Sequence, residues 1–123
     1  MTADQIIEAR VIAHLARHMP GVTVAAEVPE DFPDGAALIV VSRLGEQRQN
    51  HLRRARLAVQ SYGETLLDAA RRCEAAEAAL ASLPAEDAGV TACRVETNYN
   101  FTDETTKRYR YQSIVHVSYY EEG

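Results

Sequence analysis

The sequence is poor in the features that advertise chemistry. It has no glycine-rich phosphate loop. Gly21, Gly35, Gly45, Gly63 and Gly89 stand singly where elements should end, whereas a phosphate cradle needs several backbone N–H groups in one tight turn. No Gly-x-Ser-x-Gly elbow and no Cys-x-x-Cys pair is present, and the two cysteines, Cys73 and Cys93, lack metal-ligand spacing. They read as reduced, packed thiols. No apolar run approaches the roughly 20 residues of a membrane span. Met1 is not followed by a signal-peptide pattern, so a cytoplasmic site of synthesis and no membrane partner are expected. A net charge of −5 argues against a general nucleic-acid binder, whose affinity rests on cationic surface. Internal repeats and low-complexity linkers are also missing.

What remains is a globular composition: 123 residues, 46% hydrophobic and 25% charged, enough for one domain with a real core. The chain is organised around the stretch from Leu52 to Leu83. Ala55, Leu57 and Val59 alternate with Arg54, Arg56 and Gln60, the period of a half-buried strand. At Ser61 the period changes. Ser61 and Glu64 have the spacing of a capping box. Leu66, Ala69, Cys73, Ala76, Leu80 and Leu83 then form an apolar stripe on an Ala-rich helix that Pro84 ends.

Upstream, Thr2 and Gln5 offer another capping box before a helix carrying Ile7, Val11, Ile12, Leu15 and Met19 and ending at Pro20-Gly21. Its His14 and His18 lie one turn apart, a possible metal pair, but no third ligand is near in sequence, so the plain reading is two exposed histidines. Val22 to Val28 alternates as a strand closed by Pro29. Ala36 to Leu44 is an unbroken apolar run, the pattern of an interior strand covered on both faces. Gly45 to Asn50 reads as the polar tip of a hairpin reaching beyond the body. Val90 to Thr97 and Arg108 to Tyr120 are two last strands, joined by the polar tip Asn98 to Lys107. Both tips are poor in anchors and are expected to order on assembly.

The expected architecture is therefore α+β, order α-β-β-β-α-β-β. It is a two-layer sandwich in which a mostly antiparallel sheet carries two helices on one face, as a single domain over residues 1–123.

A nucleophile–base pair would require Cys93 and His116 to meet across the last two strands. Asp103-Glu104 and Glu121-Glu122 lie in a loop and a tail, where carboxylates stay solvated. The six tyrosines read as cross-strand packing. No catalytic residue, cofactor or metal is assigned. The charge, however, is segregated. Arg43, Arg48, Arg53, Arg54 and Arg56 crowd against a single Glu46, just after an acidic segment of Glu27, Glu30, Asp31 and Asp34. Opposite patches on one small domain are what head-to-tail self-association uses. These nine residues are the candidate subunit or tail interface.

The element order, and above all RARLAVQSYGETLLDAARRCEAAEAAL followed by YRYQSIVHVSYY, resembles the tail terminator proteins of long-tailed phages, also called tail completion or minor tail proteins. The match is one of pattern over nearly the whole chain: an alternating strand, an abrupt helix and a Tyr-rich closing strand. The resemblance implies a structural virion protein and no enzyme. It implies a ring, typically a hexamer, that sits on the finished tail tube protein, stops its polymerisation and presents a surface to the head connector. DNA would pass through the lumen without specific binding, and an acidic wall suits that. Another neck or head–tail joining protein is the neighbouring reading, and a small ligand-binding or enzymatic α+β domain is the distant one.

Overall fold

The computed structural model describes residues 6–120. The Thr2–Gln5 capping box and Glu121-Glu122 lie outside these residues. The elements are α1 (Ile7–His18), β1 (Thr23–Ala25), β2 (Leu38–Gln49), β3 (Leu52–Gly63), α2 (Leu66–Leu80), the short α3 (Leu83–Glu86), β4 (Val90–Asn100) and β5 (Tyr109–Tyr120). One five-stranded sheet runs β1-β2-β3-β5-β4. This is the expected α+β sandwich with one amendment. Three of the four pairings are antiparallel, but β1 pairs with β2 in parallel. The 26–37 loop allows this, because it carries the chain back alongside β1 before β2 starts.

Alternation along the strands decides which face the helices take. Ile39 and Val41 of β2, Ala55, Leu57 and Val59 of β3, and Val115, Val117 and Tyr119 of β5 form one buried cluster with Ile7, Val11 and Leu15 of α1 and Ala76, Leu80 and Leu83. β2 is interior, as its apolar run predicts. The α2 stripe, however, lies over β3 and β5, while α1 covers the β1–β2 side. Ala69, Cys73, Ala76 and Leu80 are buried as expected, but Leu66 is 38% exposed.

The reason lies at the start of the helix. The cap is Thr65, not Ser61: Thr65 Oγ1 accepts from Asp68 N (3.0 Å), and Asp68 Oδ2 accepts from Glu64 N (3.1 Å). Ser61 stays in the strand with its hydroxyl buried and without a hydrogen-bond partner. Gly63 makes the direct strand-to-helix passage possible. A Cβ there would sit 2.5 Å from Ala69 N and 2.9 Å from Asp68 C, so only glycine lets the end of β3 pass under the first turn of α2. Pro84 does not simply stop the helix. It sits in the first turn of α3, which turns Leu83 inward.

The hairpins also differ from their sequence outline. β2 and β3 pair to Gln49↔Leu52, and the turn is Asn50-His51, with Asn50 in the left-handed region. β5 stays paired with β3 as far as Leu52↔Tyr120, so the hairpin is a margin of the sheet and not a separate arm. β4 continues to Asn100. The shorter tip beyond it is tied by Asp103, whose Oδ1 accepts from Thr105 N and Thr106 N. Among the described residues no helix is long and apolar enough to cross a membrane.

Candidate assembly surface

The sheet face opposite the helices is open at one end and covered at the other. The cover is the 26–37 loop. Phe32 packs on Leu38, Val40 and Tyr62, Arg108 donates to Phe32 O (3.0 Å), and Arg108 pairs with Asp34 (2.8 Å). Asp34 is thus engaged within the chain. Glu27, Glu30 and Asp31 are exposed on the same loop and form no ion pair among the described residues. Asp31 sits in the left-handed region, where short polar residues are tolerated, at the loop's outer bend.

The arginine-rich segment lies at the far end, and the structure splits it between the two faces. A bulge between Arg43 and Gly45 resets the alternation, which puts Glu46 on the helix side with Arg43 and Arg53. There Glu46 accepts from Arg43 (2.5 Å), from Arg53 Nε and from the Tyr119 hydroxyl (2.8 Å), while Arg43 also reaches Glu8 of α1 (3.2 Å). Arg10 and Arg53 flank the Tyr119 ring at 5.6 and 5.7 Å. Burial by itself would raise the Glu46 carboxyl, but the hydrogen bonds from Tyr119, Arg43 and Arg53 outweigh it and hold it below the usual range. The Tyr119 phenol is pushed up to about 12 by burial and by Glu46. Arg43 and Arg53 therefore fasten the hairpin to the body.

The other face of the same segment is different. Arg56, His116 and Arg94 stand in one row across β3, β5 and β4, and Arg54 follows beside them. They line a shallow depression of about 420 Å³ with Gly45, Glu46 and Gln47. Among the described residues, the acid that meets this row is Glu96, placed by a second bulge. It accepts from His116 (2.6 Å), which holds its carboxyl below the usual range, and it lies 3.8 Å from Arg56. Arg54 makes no ion pair among the described residues, and Arg48 at the hairpin end is exposed. Arg94 was not singled out from the sequence. The alternation Cys93-in, Arg94-out was the signal for it.

The distant enzymatic reading loses its pair. Cys93 faces Val117 beneath the helices, whereas His116 points from the opposite face. Burial raises both thiols, Cys73 and Cys93, to about 11, far from a reactive thiolate. One group with metal-ligand types does form, in the helix layer. α3 brings Glu86 to His14 and His18, the third ligand that sequence distance concealed, and His14 is fully buried and not exposed.

Comparison with solved structures finds this fold in a chain of "Virion of native gene transfer agent (GTA) particle". The TM-score is 0.53 and the identity 14%, covering 93% of this chain and 94% of that one. No protein-family model matches the sequence, and no curated protein does.

Proposed function

We propose that this chain is a structural subunit of a tailed, phage-like virion. It closes with its own copies into a ring, with six members the expectation, on the end of the tail tube. There it stops tube growth and offers a surface to the head connector. The observation that carries this reading is the fold shared, almost end to end, with a chain of a gene transfer agent particle.

The placement of charge supports the ring. Between Arg56, in the exposed basic patch, and Gln60, opposite Val40 under the acidic loop, β3 runs roughly 13 Å at about 3.3 Å per residue. That exceeds the Debye length of about 8–10 Å at ordinary salt, so the two patches do not neutralise one another within a subunit. Contact between Arg54 and Arg56 of one copy and Glu27, Glu30 and Asp31 of the next is heterologous. Repeated, it closes into a ring or runs on as a filament. Each exposed pair contributes only about 0–1 kcal/mol, so the isolated subunit stays largely monomeric, and repetition around a ring templated by the tube supplies the remainder. A net charge of −5 suits a lumen through which DNA passes without specific binding.

The test is charge reversal at Arg54→Glu and Arg56→Glu, which spares Arg43 and Arg53 and their contacts with Glu46. Folding should be intact, and particles should carry tails of uncontrolled length. Reversing Glu27→Arg and Glu30→Arg in the same chain should restore them. Tails of normal length that fail to join heads would assign the chain to the neck instead. Normal, infectious particles from the Arg54/Arg56 variant would refute the interface.

A further inference from the structure

The helix layer holds a side-chain cluster that the assembly reading does not use. His14 is fully buried, and its Nε2 lies 2.7 Å from Ala79 O and 3.2 Å from Ser82 Oγ. A carbonyl oxygen can only accept, and the Ser82 hydroxyl already donates to Ala79 O (3.0 Å), so Nε2 carries the ring proton. The lone pair is then on Nδ1. That atom is buried, has no hydrogen-bond partner, and points toward Glu86 Oε1 at 3.7 Å. His18, one turn on, places Nε2 2.8 Å from Glu86 Oε2, and the two imidazole rings lie 4.4 Å apart. Arg17 is the other charged group nearby, 3.9 Å from Glu86 Oε1 but mostly exposed and free to swing away.

We propose that His14 Nδ1, His18 Nε2 and the Glu86 carboxylate form a binding site for a divalent cation of the zinc class, which clamps α1 to the α2–α3 corner. The donor set, two imidazoles and one carboxylate, is one that zinc takes in tetrahedral sites with a fourth position left to water. The three ligand atoms lie within 4.8 Å of one another. Bonds of about 2.0–2.1 Å at tetrahedral angles place ligands roughly 3.4 Å apart, so small side-chain rotations close the site. The hydrogen bond from His14 Nε2 to a backbone carbonyl is the outer contact that fixes a ligating histidine in the required tautomer. All three ligands come from one chain, so the clamp does not depend on ring formation.

The experiment is calorimetric titration of chelator-stripped protein with zinc chloride, alongside His18→Ala and Glu86→Gln, both at partly exposed positions. His116→Ala serves as control, since its Glu96 partner has no third ligand among the described residues. The parent and the control should take up one equivalent. Loss of an outer hydrogen bond alone costs metal sites about 10- to 100-fold, so losing a direct ligand should weaken binding at least about tenfold in each variant. Substitution of Co²⁺ should give the intense visible absorption of a four-coordinate centre in the parent and the His116→Ala control, and not in the two ligand variants. No saturable uptake by the parent, or undiminished uptake in both variants, overturns the site.

Discussion

The two faces of the sheet are built from the same strands and one alternation, yet they solve different problems. On the helix side, charged groups at the sheet margin and at the end of α3 find partners inside the chain. Glu46 is met by Arg43, Arg53 and Tyr119, and Asp87 by a bidentate Arg10 at 2.7 and 2.9 Å. On the open side, among the described residues, Glu96 is the acid beside Arg56 and Arg94, and Arg54 makes no ion pair. None of these arginines is directly opposite another: Arg56 and Arg94 flank His116 from either side, and Arg54 is opposite Ser118. The helix side holds the fold, and the open side is the surface proposed above for assembly.

Adjacent residues of β3 allow the sharpest break of this comparison. Leu57 is fully buried on the helix side and Arg56 is exposed on the other. Leu57→Ala should cost about 2–5 kcal/mol in denaturant unfolding. Arg56→Ala should stay within about 0.5 kcal/mol. Equal costs would dissolve the distinction between the faces. A smaller effect sharpens it at the strand-to-helix corner. Thr65→Ala removes the acceptor of Asp68 N and should cost about 0.5–2 kcal/mol. Ser61→Ala removes a buried hydroxyl that has no partner, and should be neutral or mildly stabilising. The opposite ranking would return the helix start to Ser61.

The periodic parts of this arrangement were legible in the sequence. The alternation of Ala55, Leu57 and Val59 and the stripe of Ala69, Cys73, Ala76 and Leu80 record burial directly, because packing against one face is what selects them. Bulges are the main source of what was not legible. One extra residue at Leu44 moves Glu46 to the helix side, and the arginine cluster, continuous in sequence, divides into a structural half and an exposed half. Nothing in the residue types marks that point. Similarly, Ser61 and Thr65 both suit a cap, and the choice falls to Thr65 because Gly63 must pass closely under the helix. Glu86 joins His14 and His18 only through the turn of α3, a relation between distant segments that no local pattern records.

The claim that the open face joins one subunit to the next is tested most directly by disulfide trapping. Cysteines placed by Arg56→Cys in the basic patch and Asp31→Cys on the acidic loop are separated within a subunit by the roughly 13 Å of β3 between Arg56 and Gln60, beyond the span of a disulfide. Oxidised in assembled particles, the double variant should give a ladder of covalent oligomers that ends at the closed ring, resolved on a non-reducing gel, while either single variant should give none. A double variant that stays monomeric in particles of normal composition would contradict the account.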